Sequence, residues 1–295
     1  MNDKRIIHLF TRTPLHVGSG ASVGAIDQPV QRERHTGFPI IPASSLKGSF
    51  ADHWNETLVD GKRGDGEAAW LFGSDDANNA AAGALLFGEA RLLAFPIRSA
   101  KGSFAWITSP LLLRRAARDG VIHSDLIAKL KSPADDRAIY DGGTGSPLDV
   151  GGKVVLEEYT FTQSGAAPEG LSKRFAELLE DPVWSEITTR LVILSDGMMS
   201  FFAQNACEVA QHVRISDETG TADGGGLFNQ ENVPSETLFY AVLSATKSRL
   251  NGNGHKDKTA AHALEAFSAK ISGDKPFQFG GDASTGLGYC TVKLS

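Results

Sequence analysis

Asp27 stands alone on a loop of small residues, GSGASVGAIDQ at 18–28, where a lone carboxylate contributes little to core packing. Its chemistry is that of a hard oxygen ligand or of a proton acceptor. Arg32 and Arg34 follow within a few positions. Lys47 lies beyond FPIIP on a helix predicted to start near Ser44 or Ser45. Capping hydroxyls, free backbone N–H groups and an ammonium at one helix start favour an anion, phosphate above all, although a surface lysine is often only solvated. His16, two residues before the glycine loop, is a second candidate for proton transfer or positioning, and a strand-end histidine also serves as a structural hydrogen-bonding residue.

The terminal loop FGGDASTGLGYC brings Gly280, Gly281, Gly286 and Gly288 around Ser284 and Thr285. It lacks the Gly-Lys-Ser/Thr ending of a triphosphate loop, and a short β-like segment follows it rather than a helix. Its glycines suit a nest of backbone N–H groups for an anion. No Gly-x-Ser-x-Gly elbow, His-Glu-x-x-His helix or zinc-spaced His/Cys cluster occurs, which argues against serine hydrolase, zinc protease and structural zinc readings.

Alternation and β-rich content predict strands in RIIHLFTRTPLHV, GALLFGEARLLAF, SFAWITS, KVVLEEYTFT, CEVAQHVRIS and ETLFYAVLSAT. Helices are predicted over 44–59, 110–118, 170–180, 182–190, 196–205 and 256–271. Leu46, Phe50, Trp54 and Leu58 recur every four residues and give the first of these an apolar face. Strands and helices intermix in α+β fashion. Turn residues mark 60–83, 141–152 and 251–258 as insertions or loops.

With 295 residues and 41% hydrophobic content, the chain can build one large domain with insertions or two small ones. It has no run of about 18 apolar residues for a membrane span and no secretory leader pattern, so a cytoplasmic protein is expected. Its two cysteines, Cys207 and Cys290, suit a reducing compartment. A net charge of −6 argues against a free-standing nucleic-acid binder but permits a local basic strip inside an assembly.

The segment VGAIDQPVQRERHTGFPIIPASSLKGSF resembles the N-terminal signature of the backbone subunit of type III-B CRISPR effectors, the Cmr complexes, within the RAMP superfamily. WLFGS at 70–74, GALLFGEARLLAFPIRSAKGSFAWITSP at 83–110, RISDETGTADGGGLFNQENVPSETLFY at 214–240 and GGDASTGLGYC at 280–290 resemble the same family in the same order. Glu89 stands where the resemblance leads one to expect an aspartate, an acid-for-acid departure.

The resemblance implies a ferredoxin-like, RRM-like palm with insertions, a single domain over 1–295, and a β-hairpin thumb over 214–234 bearing Leu227 and Phe228 as wedge or anchor. Phe228 packing under its own hairpin is the ordinary alternative. It implies guide-RNA contact by the terminal loop, hence by Gly281, Ser284, Thr285 and Gly286, and by Arg32, Arg34, Ser44, Ser45 and Lys47. It further implies a metal-dependent endoribonuclease step in which an RNA 2′-hydroxyl attacks the adjacent phosphate and Asp27 is essential. Asp27 then either holds Mg²⁺ or another divalent cation or helps activate the hydroxyl. Glu231, in the thumb region, joins His16 as a candidate for proton transfer or positioning.

The implied partners are CRISPR guide RNA, complementary target RNA, further copies of the chain in a helical filament, and other subunits of the type III-B complex. Three readings follow. The first is an RNA-guided endoribonuclease. The second is a purely structural guide-binding subunit. The third is a nuclease that processes guide precursors. The equivalent subunit of a type III-A complex is the nearest competing family.

Overall fold

Ile6, Ile7, Leu9 and Phe10 of the first strand, Lys4–Thr11, are all buried, so an almost continuous apolar run marks a strand covered on both faces. In the computed structural model, which describes residues 4–20, 22, 24–54, 66–76, 80–250, 254–273 and 275–295, this strand pairs antiparallel with Tyr289–Leu294 on one side and Leu238–Ala245 on the other. Leu238–Ala245 in turn pairs antiparallel with Ala90–Ser99. These strands belong to a mixed 12-stranded sheet, counted among the described residues.

Beyond Ala90–Ser99 the sheet continues through Ser103–Thr108, Leu191–Ile193, Arg137–Tyr140, Tyr159–Gly165 and Lys153–Leu156. It then curls back, so that Leu156 meets Ser99. One face is covered by the helices Ala43–Asp52 and Ala260–Ile271, whose Phe50 and Phe267 rings meet edge to face at 5.0 Å. The other face packs against Pro110–Asp119 and Leu171–Ala176, with Trp106 and Trp184 at its centre.

Predicted and observed elements coincide best where a cap fixes the start. Ser109 accepts from the Leu112 N–H and Ser195 from the Met198 N–H, opening the helices Pro110–Asp119 and Asp196–Asn205. The helix predicted from 44 begins at Ala43 behind Pro42, and neither Ser44 nor Ser45 caps it. Leu46, Phe50 and Trp54 are buried as their spacing predicts, while Leu58 and the predicted helix end lie outside the described residues.

The expected strand 5–17 ends at Thr11. KVVLEEYTFT is two strands around a turn with Glu157 at φ +49°. GALLFGEARLLAF breaks at Gly88, where a Cβ would sit 2.9 Å from the Val242 carbonyl oxygen. Within 60–83, taken as an insertion, Glu67–Phe72 is a helix burying Trp70, Leu71 and Phe72.

A separate two-stranded hairpin, Glu208–Ile215 with Ala222–Asn232, stands apart from the sheet. It starts before the predicted 214–234, and its turn lies at Ser216–Thr221 rather than in the glycine-rich run, because Gly224–Gly226 are in the second strand.

Candidate functional site

Leu15 and Val233 exchange backbone hydrogen bonds of 2.8 and 2.9 Å, tying the segment after the first strand to the base of the hairpin. His16 follows and is buried. Its Nδ1 lies 2.7 Å from the Glu231 carbonyl oxygen, which can only accept, so Nδ1 carries the proton. A Cβ at Gly18 would lie 2.9 Å from His16 Nε2, which accounts for a glycine there. Residues 17–19 then run antiparallel to 29–31, through Gln31 N–H to Val17 O (2.8 Å) and Ser19 N–H to Pro29 O (2.9 Å). The loop that joins these arms carries Asp27, and Gly20 and Gly24 turn it at positive φ.

Asp27 is exposed at the foot of the hairpin. Its backbone N–H donates to Asn229 Oδ1 (2.8 Å), and its Oδ2 accepts the Asn229 backbone N–H (2.9 Å). Asn229 Nδ2 donates to the Ala25 carbonyl (2.9 Å), and the Gln28 N–H donates to the Asn229 carbonyl (3.1 Å). The Glu231 N–H closes the run on the Gln28 carbonyl at 2.9 Å. Loop and hairpin are therefore one hydrogen-bonded piece.

Beneath them Glu231, only 3% exposed, accepts the Val30 N–H on Oε2 (3.0 Å) and pairs through Oε1 with Arg32 Nη2 at 2.6 Å. Arg32 also donates to the Gly37 and Ala203 carbonyls (2.7 and 2.8 Å) and to Cys207 Sγ (3.3 Å). Burial pushes the Cys207 thiol up to about 12, so it meets Arg32 as a neutral acceptor. The contacts of Arg32 and Glu231 differ from those expected of a basic strip and a free acid. Arg32 turns its donors inward rather than into a basic strip, and the Glu231 carboxylate is occupied as an anchor rather than free for proton transfer. His16 likewise spends its N–H on the hairpin backbone.

Other predicted residues keep open surfaces. Arg34 is exposed and makes no ion pair among the described residues, while its neighbour Glu33 is claimed by Arg115 (2.9 Å) and Thr36 (2.6 Å). Burial raises the Glu33 carboxyl, but those two hydrogen bonds and the Arg115 charge outweigh it and hold the group below its ordinary value. Lys47 is exposed and, with Arg249, Ser74 and Asp75, lines a cleft of about 470 Å³. Ser44 is exposed and Ser45 half-buried.

The terminal loop docks on the same segment as the hairpin. The Gly281 N–H donates to the His16 carbonyl (2.9 Å), the Gly288 N–H to the Pro14 carbonyl (2.8 Å), and Gln230 Nε2 to Asp282 Oδ2 (2.6 Å). The expected nest is largely spent within the loop. The N–H groups of Thr285 and Leu287 turn onto the Asp282 carbonyl and that of Gly286 onto Ala283. Ser284 and Thr285 remain exposed at its rim. On the hairpin, Phe228 stacks on His212 (5.1 Å, 17°), whereas Leu227 is 68% exposed.

Asn229, Gln230 and Asp282 were not anticipated. The signal for Asn229 and Gln230 is the polar run NQEN inside a strand, where asparagine is disfavoured unless its amide is used. Among the described residues no group of three or more acids, histidines or cysteines is placed to hold a metal ion.

The sequence profile of the RAMP superfamily matches residues 9–291. A relative from Pyrococcus furiosus, the CRISPR system Cmr endoribonuclease Cmr4, is 34% identical over 294 residues, which is 98% of this chain and 95% of that protein. The CRISPR system Cms endoribonuclease Csm3 of Streptococcus thermophilus is 38% identical over only 88 residues, 27% of this chain and 40% of that protein. Among solved structures, oligomeric Cmr4 from Pyrococcus furiosus superposes with a TM-score of 0.72 at 27% identity, covering 100% of this chain and 98% of that one.

Proposed function

The chain belongs to the RAMP superfamily, and on that premise we propose that it is the repeated backbone subunit of a type III-B CRISPR effector, binding guide RNA and cutting complementary target RNA through Asp27. The observation that carries the reading is the exposed Asp27 residue, whose carboxylate is clamped by one oxygen to the foot of the hairpin. A near-full-length relative is named an endoribonuclease of the Cmr system, whereas the Cms relative matches a much shorter stretch, which favours the type III-B assignment.

The sheet order Tyr289–Leu294, Lys4–Thr11, Leu238–Ala245, Ala90–Ser99, antiparallel throughout and backed by the helices Ala43–Asp52 and Ala260–Ile271, supports a ferredoxin-like, RRM-like palm in a single RAMP domain spanning 1–295. The hairpin Glu208–Asn232 is then the thumb, with exposed Leu227 as its wedge. Arg34, Lys47, Ser44, Ser45 and the terminal-loop rim of Gly281, Ser284, Thr285 and Gly286 face RNA backbone, while base pairing between guide and target supplies sequence recognition. Copies of the chain repeat head to tail along the guide in the cytoplasm, with other subunits of the complex at the ends. Among the described residues, no helix is long and apolar enough to cross a membrane.

In the cutting step the 2′-oxygen bonds to phosphorus, the bond from phosphorus to the 5′-oxygen breaks, the 2′-hydroxyl loses its proton and the leaving oxygen gains one. Asp27 Oδ1 is the atom of this chain that receives or orients the 2′-hydroxyl. When bound, Mg²⁺ or another divalent cation supplies charge neutralisation at the phosphate. A single carboxylate fits such an ion, which takes most of its ligands from phosphate and water, and Asp27 would hold it.

The test is to reconstitute the complex with guide RNA and wild-type or Asp27→Asn subunit and to follow complementary RNA on a gel with Mg²⁺ and with chelator. An assembled variant that binds target and leaves it intact supports the reading. Normal cutting by the variant makes the chain a structural guide-binding subunit.

A further inference from the structure

Every polar atom of Asn229 is engaged with the Asp27 loop. The carboxamide oxygen takes the Asp27 N–H, its nitrogen reaches the Ala25 carbonyl, the backbone N–H holds Asp27 Oδ2 and the backbone carbonyl takes the Gln28 N–H. These partners leave no freedom in the orientation of the amide, since an oxygen facing an N–H and a nitrogen facing a carbonyl cannot be exchanged. The carboxylate is thereby pinned by one oxygen, and its rotation about the Cβ–Cγ bond is set by a residue more than 200 positions away. Asn229 is half-buried and its bonds lie at the surface, so the clasp adds little to global stability. Its main effect is orientation.

We propose that Asn229 is a positioning residue for RNA cleavage, holding the exposed Asp27 carboxylate in one orientation toward the RNA. The proposal rests on the reading of Asp27 as the cutting residue. It adds that Asn229, whose backbone N–H holds the carboxylate while its side chain holds the Asp27 and Ala25 backbone in place, and not the loop alone, sets the carboxylate geometry. Only asparagine among the small side chains offers an acceptor and a donor at this reach. Alanine removes both side-chain bonds and keeps only the backbone N–H to the carboxylate, whereas glutamine keeps an acceptor and a donor on a side chain one methylene longer.

The experiment uses the reconstituted complex with guide RNA and measures single-turnover cleavage of saturating complementary RNA at neutral pH for wild-type, Asn229→Ala, Asn229→Gln and Asp27→Asn subunits, with target affinity and assembly measured in parallel. Asn229→Ala is expected to slow cleavage between about 10- and 100-fold with affinity and assembly unchanged, the scale of a misplaced reacting group. Asn229→Gln, which keeps an acceptor and a donor on a side chain one methylene longer, is expected to recover part of that loss. A purely structural role would lower assembly or target affinity along with the rate. Wild-type rates for both Asn229 variants beside an inactive Asp27→Asn overturn the proposal and leave the cutting assignment standing. Slower cleavage that follows impaired target binding or assembly overturns it too. Normal cutting by Asp27→Asn removes the reading beneath it.

Discussion

Arg32 Nη2 stands 2.6 Å from Glu231 Oε1 across 199 residues of chain, and the second oxygen of that carboxylate holds the Val30 N–H. This pair fastens the arm of the Asp27 loop to the hairpin. Removing one partner leaves the other charge buried without compensation. Arg32→Met or Glu231→Gln is expected to lower the unfolding free energy by about 3 kcal/mol, toward the lower end of the range for buried pairs because the guanidinium keeps 20% exposure. Urea titration at neutral pH measures it, and the Arg32→Met/Glu231→Met double variant should lose less than the two single losses combined.

Arg34 lies only two residues further on yet makes no ion pair among the described residues. Arg34→Ala and Lys47→Ala are expected to leave stability within about 0.5 kcal/mol of wild type. Guide-RNA binding should weaken for each, and the slope of log K against log salt should fall by about 0.7 for each phosphate of single-stranded RNA that the variant no longer neutralises. Filter binding over a salt series reads both effects, and an unchanged slope removes the residue from the RNA surface.

Burial, then the nearby Arg174 and Lys293 charges, lower the His8 pKa to about 3. The unfolded chain binds a proton near 6.5 that the folded chain refuses until about 3, so stability rises with pH across that window and is lost as pH falls through it. His8→Gln, which keeps a polar side chain without that titration, is expected to flatten the dependence. The difference between the two proteins' urea midpoints, followed from neutral pH down to about pH 4, isolates this group from the carboxylates common to both.

Gly280 has φ +77°, and a Cβ there would lie 2.2 Å from the His16 carbonyl oxygen. Gly280→Ala must therefore lift the terminal loop from the segment on which the hairpin also rests. Hydrogen exchange should speed at Gly281 and Gly288, whose N–H groups bond to His16 and Pro14. Gly286→Ala, with open space around the added methyl but φ +90°, is expected to strain only its own turn.

Local chemistry was legible. Apolar spacing placed the helices at 110 and 196, the glycine loop set Asp27 apart as an exposed acid, and ordered motifs identified the family. What could not be read was long-range pairing. Arg32 resembles any exposed arginine beside Arg34 until Glu231 arrives from the other end of the chain, and His16 meets its carbonyl 215 residues away. Glu67–Phe72 was hidden because its glycine- and acid-rich surroundings imitate a loop, although AAWLF packs into the core.

The bridge between Leu15 and Val233 makes the hairpin a lever with its fulcrum at the segment that follows the first strand. At roughly 3.3 Å per strand residue, Asn229 lies about 13 Å from that fulcrum and the tip near Gly220 about 43 Å. A rigid swing of the tip thus reaches Asp27 reduced to about a third, and Gly224–Gly226, lying between tip and clasp, absorb part of what remains. A displacement at the far end of the hairpin is expected to leave the clasp on the carboxylate largely in place.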